Sequence, residues 1–300
     1  MSHNKQKKIA IINDMSGFGR CSIAVELPII SRMKIQGCPL PTAILSNHTG
    51  FDSFFFDDYT DKMTAYMTEW KKLDLQFNGI CTGFLGSKQQ IEIVEKFMEM
   101  FKTDSNITII DPVMGDYGKL YPTYTMQTCL EMKKLVQFAD ILTPNLTEIC
   151  ILTDTQYHEN WTKDELDLMA MQLANDGPKK IVITGIPCGS YIGNYCFEHG
   201  KESCIIKTKK VGESRSGTGD IFSAIIAADA VNNVDFIKSV RKAADFVKQC
   251  ILKSIEMEIP RTDGGCFEEL LGTLQPWDKA LRRKYKWRYC TKFTTIYMSI

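Results

Sequence analysis

The sequence predicts an α/β domain whose central sheet is mostly parallel. Short β-branched runs alternate with helical patterns as far as Gly185, which is typical of right-handed βαβ units. Apolar residues make up 44% of the 300 residues and charged residues 24%, which excludes disorder, collagen and coiled coil for most of the chain. Because no Pro- or Ser-rich linker and no internal repeat interrupts the pattern, we expect residues 1–274 to form one domain.

The predicted strands are short runs rich in β-branched and aromatic residues. Those up to Gly185 are separated by helical patterns and are expected to be parallel, whereas the last two flank a polar turn and predict a hairpin. The strands are predicted at residues 8–13, 42–46, 80–82, 107–110, 141–143, 181–184, 191–197 and 203–208.

The predicted helices are recognised by their periodicity and by the residues at their starts. The first strand ends in a glycine-bearing turn at residues 14–19, from which a helix runs to about Met33. Further helices are predicted at 87–102 and 162–175, with the capping-box pairs Ser87 and Gln90 and Thr162 and Glu165, and at 218–232 and 234–255.

Polar or glycine residues follow several of the predicted strands. Ligands of parallel sheets bind beyond the carboxyl ends of the strands. One such residue alone is an ordinary turn former, but five at the same sheet edge indicate a site. The five are Asp14, Asn47, Asp111, Asn145 and Gly185.

Charge and cysteine usage narrow the expected partners. Lys and Arg number 36 and Asp and Glu also number 36, so the net charge is zero. The chain therefore lacks the excess of basic residues that is typical of nucleic-acid-binding proteins. No apolar run approaches about 18 residues and none has the pattern of a signal peptide, so we expect no membrane partner. The 11 cysteines include no C-x-x-C pair, which favours reduced thiols in a cytoplasmic protein.

The last segment, residues 275–300, differs in character from the rest of the chain. From Asp278 onward it carries seven basic residues against that one acid, together with several aromatic residues. A basic aromatic extension can bind nucleic acid or an anionic surface. We favour the simpler interpretation of a packing extension or a disordered terminus.

A glycine-flanked turn precedes an apolar, small-residue helix late in the chain. Gly217, Thr218 and Gly219 come directly before Asp220. A helix N-terminus has unpaired N–H groups and a partial positive charge, and glycines let an anion approach those groups closely. The pattern therefore predicts an anion site, although a plain capped helix with Asp220 in its first turn would look similar.

Two further segments carry carboxylates. Asp111 and Asp116 leave a strand end close together, and hard oxygen ligands of this kind suit Mg²⁺ together with phosphate oxygens. Asn145 and Glu148 follow Pro144 three residues apart, so they lie on one helical face, although Glu148 can also be a capping or surface residue. No P-loop, dinucleotide fingerprint or His-Glu-x-x-His motif is present.

In their order, these motifs (Asp111 to Asp116, then Thr143-Pro144-Asn145-x-x-Glu148, then Gly217 to Asp220) resemble the ribokinase-like superfamily of small-molecule kinases. The segment Ser-Asn-His-Thr-Gly-Phe at 46–51 resembles the pyridoxal/pyridoxamine kinases of vitamin B6 salvage. The similarity extends over about residues 8–272. It implies a three-layer α/β/α ribokinase-like fold, ATP-dependent phosphorylation of the 5′-hydroxymethyl group of a B6 vitamer, Mg²⁺ with ATP, and a homodimer. A need for a monovalent cation is left open.

The resemblance also implies a role for individual residues. Asp220 would be the base that takes the hydroxymethyl proton, next to an anion hole of backbone N–H groups. A loop at residues 116–121, which includes Asp116 and Tyr121, would close over the phosphates. The anion hole would be Gly217, Thr218 and Gly219; Mg²⁺ and phosphates would be held by Asp111 and Glu148 with Asn145 nearby; Thr143 and Thr184 would line the ATP side; and the vitamer would contact Asp14, Ser16, Asn47, His48, Thr49 and Gly50. His48 would have a supporting role.

Asp14 departs from the pattern of the B6 kinases, which commonly have Ser at this position. An acid there would favour a cationic amine, which predicts a preference for pyridoxamine over pyridoxal. Alternatively, Asp14 caps the following turn. Three other functions stay open: a hydroxymethylpyrimidine kinase of thiamine synthesis, a non-catalytic B6-binding paralogue, and an ATP-dependent lyase of the kind related folds contain.

Overall fold

The structure is a computed structural model and describes residues 5–275 and 295–296. The strands are β1 Lys8–Phe18, β2 Gln36–Asn47, β3 Phe56–Asp58, β4 Gly79–Thr82, β5 Ile107–Ile110, β6 Gly115–Asp116, β7 Lys119–Leu120, β8 Ile141–Leu142, β9 Lys180–Cys188, β10 Tyr191–Glu198, β11 Cys204–Lys209 and β12 Thr295–Ile296. The helices are α1 Ser22–Arg32, α2 Thr60–Lys72, α3 Lys88–Phe101, α4 Met126–Val136, α5 Leu146–Thr153, α6 Lys163–Ala174, α7 Thr218–Val231 and α8 Phe236–Glu256, and two 3-10 helices follow at Arg261–Asp263 and Glu268–Thr273.

The main sheet has the strand order β12-β11-β10-β9-β8-β5-β4-β1-β2-β3. Its central strands from β9 to β2 are parallel, which confirms the mostly parallel sheet expected from the βαβ pattern. Strands β9, β10 and β11 form the antiparallel end, and the hairpin predicted from the sequence is β10 with β11. The edge strand β3 also pairs antiparallel, with β2.

Helices cover both faces of the sheet, so the fold has the expected three layers. On one face α1, α7 and α8 bury an apolar cluster that includes Ile9 and Ile11 of β1. On the other face α2 to α6 bury a second cluster that includes Ala10 and Ile12. Because successive side chains of a strand point to opposite faces, the apolar run at residues 9–12 of β1 supplies both cores.

The turn predicted at residues 14–19 is wrong for most of its length. Strand β1 continues to Phe18, because its pairing with β2 resumes after a register shift between Asn13 and Met15. The bulge at this shift turns the chain without ending the strand. Likewise, Gly185 lies inside β9 and does not follow it.

The helix starts agree with the capping residues to different degrees. Thr162 and Glu165 form the predicted reciprocal capping box. Ser87 accepts the N–H of Gln90 at 3.2 Å, but the Gln90 side chain accepts the N–H of Gly86, so only half of that box forms. Helices α2 and α4 were not predicted from the sequence.

The predicted extension at 275–300 lies outside the described residues, apart from Gln275 and the two residues of β12, whose backbone pairs parallel with β11. The division into residues 1–274 and 275–300 stays a prediction. Within the described part of the chain, no helix combines the length and apolarity needed to cross a bilayer.

Candidate active site

Four of the predicted acids meet at the carboxyl edge of the sheet. Asp14 is in β1, Asp111 follows β5, and Glu148 and Asp220 lie in the first turns of α5 and α7. The charge of Asp220 raises the pKa of both Asp14 and Asp111, and the charge of Asp111 raises that of Glu148, although burial is the larger cause in each case. The fold therefore gathers acidic side chains at one edge of the sheet, where they can bind a cation.

Asp220 is held by groups from the opposite side of the site. Its Oδ1 accepts a hydrogen bond from Nδ2 of Asn13 at 3.3 Å, and its carboxylate also accepts the backbone N–H of Ser22. Burial raises the pKa of Asp220, and these two hydrogen bonds partly oppose the rise. The residue is only half-buried, so a bound alcohol can approach it.

The turn before α7 requires glycine at its first position. Gly217 has φ +75°, and a Cβ there would lie 1.7 Å from the backbone oxygen of Arg20. A Cβ on Gly219 would meet nothing within 4 Å, so space adjoins the turn. Among the described residues no side chain caps α7, which leaves its first N–H groups available to an anion.

Asp111 is linked to α7 through a hydroxyl. The Oγ of Ser223 donates to Oδ2 of Asp111 at 2.7 Å and lies 3.2 Å from the hydroxyl of Thr143. Ser223 follows Asp220 by three residues, so both are on one face of α7. Burial raises the pKa of Asp111.

Glu148 forms a capping box with Asn145 and also braces the segment after β5. Its Oε2 accepts the N–H of Asn145 at 2.7 Å, and its Oε1 accepts the N–H of Met114 at 3.1 Å. Nδ2 of Asn145 donates to the backbone oxygen of Gly115 at 2.8 Å. The backbone of Asn145 also forms a parallel β-bridge with that of Thr184, so these two residues predicted for the ATP side are adjacent.

Residues 116–121 form a small hairpin flap rather than an open loop. Strands β6 and β7 pair antiparallel, and the two residues at the tip, Tyr117 and Gly118, have φ +51° and +74°. Gly118 donates its N–H to the hydroxyl of Thr147 at 2.8 Å, and the Tyr117 hydroxyl lies 3.3 Å from that of Ser214. The tip of the flap therefore reaches the segment just before Gly217.

The predicted vitamer loop is organised by His48. Its Nδ1 accepts the N–H of Gly50 at 3.1 Å, so its Nε2 carries the hydrogen and donates to the backbone oxygen of Thr262 at 2.6 Å. Asn47 donates to the backbone oxygen of Ser53 within its own loop. Both contacts shape the loop, and the supporting role of His48 stays a prediction. Thr49 and Gly50 are exposed.

Asp14 is 6% exposed and has two hydroxyl partners. Ser22 donates to its Oδ1 at 2.5 Å and Ser16 to its Oδ2 at 3.0 Å. Burial raises its pKa from 3.8 to about 6, which these hydrogen bonds only partly oppose. The carboxyl is thus ionised near neutral pH, and its buried charge lowers the free energy of unfolding. A buried acid with a raised pKa is typical of functional sites.

We expect Asp14→Asn to stabilise the protein at neutral to alkaline pH. Because the folded state binds the Asp14 proton more tightly than the unfolded state, the free energy of unfolding falls as pH rises from about 4 past 6. Removing the charge should add about 2–3 kcal/mol near pH 8 and nothing below pH 4. Urea unfolding at the two pH values measures this, with exposed Asp104→Asn as the control. An equal gain at both pH values would contradict the explanation.

The donor set fits Mg²⁺ in part. Within residues 5–275 no group of three or more His, Cys, Asp or Glu residues is placed to hold a metal ion. Mg²⁺ bound with a nucleotide needs only one or two carboxylates, because phosphate oxygens and water complete its shell. Asp111 and Glu148 meet that need. Burial raises the pKa of both, and the charge of Asp220 adds to the rise at Asp111 while the charge of Asp111 adds to that at Glu148.

Sequence reasoning missed several residues of this site. Glu26 is a lone acid in the apolar run of α1, and that break in the pattern was the available signal. Ser223 could have been inferred from its spacing to Asp220. Asn13 and Ser22 gave no signal, because their contacts with Asp220 join segments far apart in the chain.

Three features of the described residues together define a ribokinase-like α/β fold of the small-molecule kinases. They are the strand order, the three layers, and the glycine turn before α7, which no side chain caps and which lies close to the four acids. The sequence profile of the phosphomethylpyrimidine kinase family matches residues 23–262. The chain belongs to this family, which confirms the resemblance stated above.

Curated relatives include kinases of both candidate substrates. A pyridoxal kinase of Arabidopsis thaliana is 30% identical over 225 residues, which cover 72% of this chain and 71% of the relative. A hydroxymethylpyrimidine/phosphomethylpyrimidine kinase of Aquifex aeolicus is 27% identical over 187 residues, which cover 60% and 69%.

Among solved structures, a protein of Bacteroides thetaiotaomicron described as a phosphomethylpyrimidine kinase is similar over most of the chain. Its rhombohedral form is 38% identical with a TM-score of 0.89, covering 91% of this chain and 95% of that chain. Its orthorhombic form, solved with pyridoxal, is 37% identical with a TM-score of 0.87, covering 90% and 96%.

Proposed function

We propose that this protein transfers the terminal phosphoryl group of ATP to the 5′-hydroxymethyl group of pyridoxal, pyridoxamine or pyridoxine, as an ATP:pyridoxal 5′-phosphotransferase. One observation carries the proposal: the carboxylate of Asp220 is in the same helical turn as the unpaired N–H groups that follow Gly217. Phosphoryl transfer requires an acceptor for the alcohol proton next to donors for the phosphate oxygens. The pyridoxal in the Bacteroides structure supports a vitamer as the acceptor.

The residues divide the work of the transfer. The N–H groups of Gly217, Thr218 and Gly219 bind the phosphate oxygens, and their fixed geometry stabilises the charge that develops in the transition state. Asp220 orients the alcohol and accepts its proton late, because a carboxylate is a weak base. The flap excludes water when it lies over the phosphates.

Asp111 and Glu148 would hold Mg²⁺. When bound, this ion would neutralise the phosphate oxygens and help to orient the nucleotide. Ser223 and Asn145 fix these two carboxylates through the hydrogen bonds described above. Thr143 and Thr184 lie beside them on the proposed ATP side.

Asp14 is the basis for a preference among vitamers. At neutral pH its buried carboxylate is ionised, and a cationic amine would gain a charge-assisted hydrogen bond there that a neutral aldehyde would not. We expect kcat/KM to favour pyridoxamine over pyridoxal by about 10-fold, as one such bond provides. Asp14→Ser should abolish the preference. An unchanged ratio in that variant would make Asp14 a structural residue.

A panel of acceptors tests the proposed reaction. The protein is incubated with Mg-ATP and each B6 vitamer or hydroxymethylpyrimidine, and products are identified by mass spectrometry. A phosphorylated vitamer, formed faster than phosphorylated pyrimidine, is expected. Faster phosphorylation of the pyrimidine would favour a hydroxymethylpyrimidine kinase. The family match and the Aquifex relative support that alternative. Release of ADP without a phosphorylated product would indicate a lyase, and binding without turnover a non-catalytic paralogue.

The proposal extends to the oligomeric state of the protein, its cellular location and its requirement for ions. A cytoplasmic homodimer is expected, and sedimentation equilibrium measures its mass. A monovalent-cation requirement is tested by comparing turnover in potassium, sodium and tetramethylammonium salts.

A further inference from the structure

Two buried polar residues beside Asp220 have no part in the proposed mechanism. Asn13 in β1 and Glu26 in α1 are each 1% exposed. Buried amides and carboxyls are costly unless their hydrogen bonds are satisfied. The hydrogen-bond partners of Asn13 and Glu26 therefore indicate the role of these two residues.

The orientation of the Asn13 carboxamide is fixed by the backbone. Its Oδ1 accepts the N–H of Asp14 at 2.9 Å and the N–H of Phe84 at 2.8 Å. Only the oxygen of an amide can accept, and its two lone pairs are both used. The nitrogen must then point the other way, into the site.

Both N–H groups of this nitrogen face carboxyl groups. Nδ2 lies 3.2 Å from Oε2 of Glu26 and 3.3 Å from Oδ1 of Asp220. All four hydrogen-bonding positions of Asn13 are thus occupied, two by backbone and two by acids. A side chain satisfied in this way has one available rotamer, so it holds its partners in place.

Glu26 is placed to fix Asn13, because its Oε2 accepts one of the two N–H groups of the amide. Within residues 5–275 no salt bridge involves it, and its second oxygen, Oε1, has the thiol of Cys81 at 3.8 Å as donor. Burial and the nearby carboxylates, that of Asp220 first, raise its pKa, while the bond from Asn13 opposes the rise. An apolar residue would fill this position in α1 at lower cost.

Gly83, in the segment after β4, also packs closely against the Asn13 carboxamide. A Cβ on this residue would lie 2.3 Å from Nδ2 of Asn13, so the backbone after β4 comes close to the amide. The carboxamide is therefore enclosed by β1, α1, α7 and the segment after β4.

We propose that Asn13 is a positioning residue for Asp220 and that Glu26 holds Asn13 in the orientation this requires. The inference rests on the proposed function of Asp220 as the base. Asn13 would keep Oδ1 of Asp220 fixed, so that the carboxylate meets the alcohol in one geometry.

Four variants test the proposal by steady-state kinetics. Asn13→Leu removes both donors, and Asn13→Asp places an acid against Glu26 and Asp220. Each should lower kcat about 10- to 100-fold, as loss of a hydrogen bond to a charged group does, with KM for ATP changed less than about threefold. Glu26→Met should act like Asn13→Leu, whereas Glu26→Gln retains an acceptor and should restore kcat to within about threefold of wild type.

Asn106→Asp is the matched control, since Asn106 is also a buried amide bonded to backbone but directly precedes β5, at the opposite end of that strand from Asp111. Its kcat should equal that of wild type. Unchanged kcat in Asn13→Leu, or equal kcat in Glu26→Gln and Glu26→Met, would overturn the proposal. If the Asn13 variants do not fold, the Glu26 pair decides alone. Wild type without any phosphorylated product would refute the proposed function instead.

Discussion

Asp220→Asn is expected to lower kcat by about 10²–10⁴-fold, the range for loss of a positioned base. The amide keeps the shape of the side chain and its oxygen can still accept the hydrogen bond from Nδ2 of Asn13, but it cannot take a proton. ATP affinity should change little, because the phosphate oxygens bind to the backbone of the turn. Single-turnover kinetics and isothermal titration with ATP measure the two quantities separately.

Asp229→Asn provides the control on the same helix. Asp229 is fully buried and accepts a hydrogen bond from Lys242 at 2.7 Å, so its loss should lower the free energy of unfolding and leave kcat within about twofold of wild type. Near-normal kcat in Asp220→Asn would remove Asp220 from the mechanism. A similar fall in both variants would attribute the effect to α7 as a whole.

Gly217→Ala is expected to lower kcat/KM for ATP by roughly 100-fold or more, the loss measured for a donor of an oxyanion hole. Its Cβ would lie 1.7 Å from the backbone oxygen of Arg20, and φ +75° is strained for alanine, so the turn must move. Moving the turn displaces the N–H groups of Thr218 and Gly219 from the phosphate oxygens. We expect the free energy of unfolding to fall as well.

Two other glycines separate these effects. A Cβ at Gly272 would meet nothing within 4 Å and is remote from the site, so Gly272→Ala should leave both stability and activity unchanged. Gly219→Ala also meets nothing within 4 Å and should keep stability, but its methyl group would stand beside the bound phosphate and should raise KM for ATP. Wild-type kcat/KM in Gly217→Ala would show that phosphate does not bind at this turn.

The sequence predicted the fold well where the pattern was local. Strand β5 has the predicted bounds, and the box of Thr162 with Glu165 formed because its hydrogen bonds depend on residues three apart. Prediction failed at residues 14–18, because the glycine pattern favoured a turn while pairing with β2 extended the strand. Local preference gave way to a partner strand more than 25 residues further along the chain.

The sequence predicted which acidic and glycine residues form the candidate site, but it did not predict most of the hydrogen bonds between them. Asp111, Glu148 and Asp220 lie at one edge of the sheet, as strand ends in a parallel sheet require. The roles given to them stay predictions that the variants above test. The sequence offered no route to the contact between Asn13 and Asp220, which are 207 residues apart.

The sequence by itself determined the α/β class, the family and the set of acids and glycines, because periodicity, capping and motif order are written in neighbouring residues. Only the tertiary structure decided that Asn13 points its nitrogen at Asp220, that Glu26 is buried with no salt bridge to any described residue, and that Gly217 packs against Arg20. These features depend on which atoms meet across β1, α1 and α7. Such contacts are fixed by packing between segments distant in the chain, for which a single sequence carries no local signal.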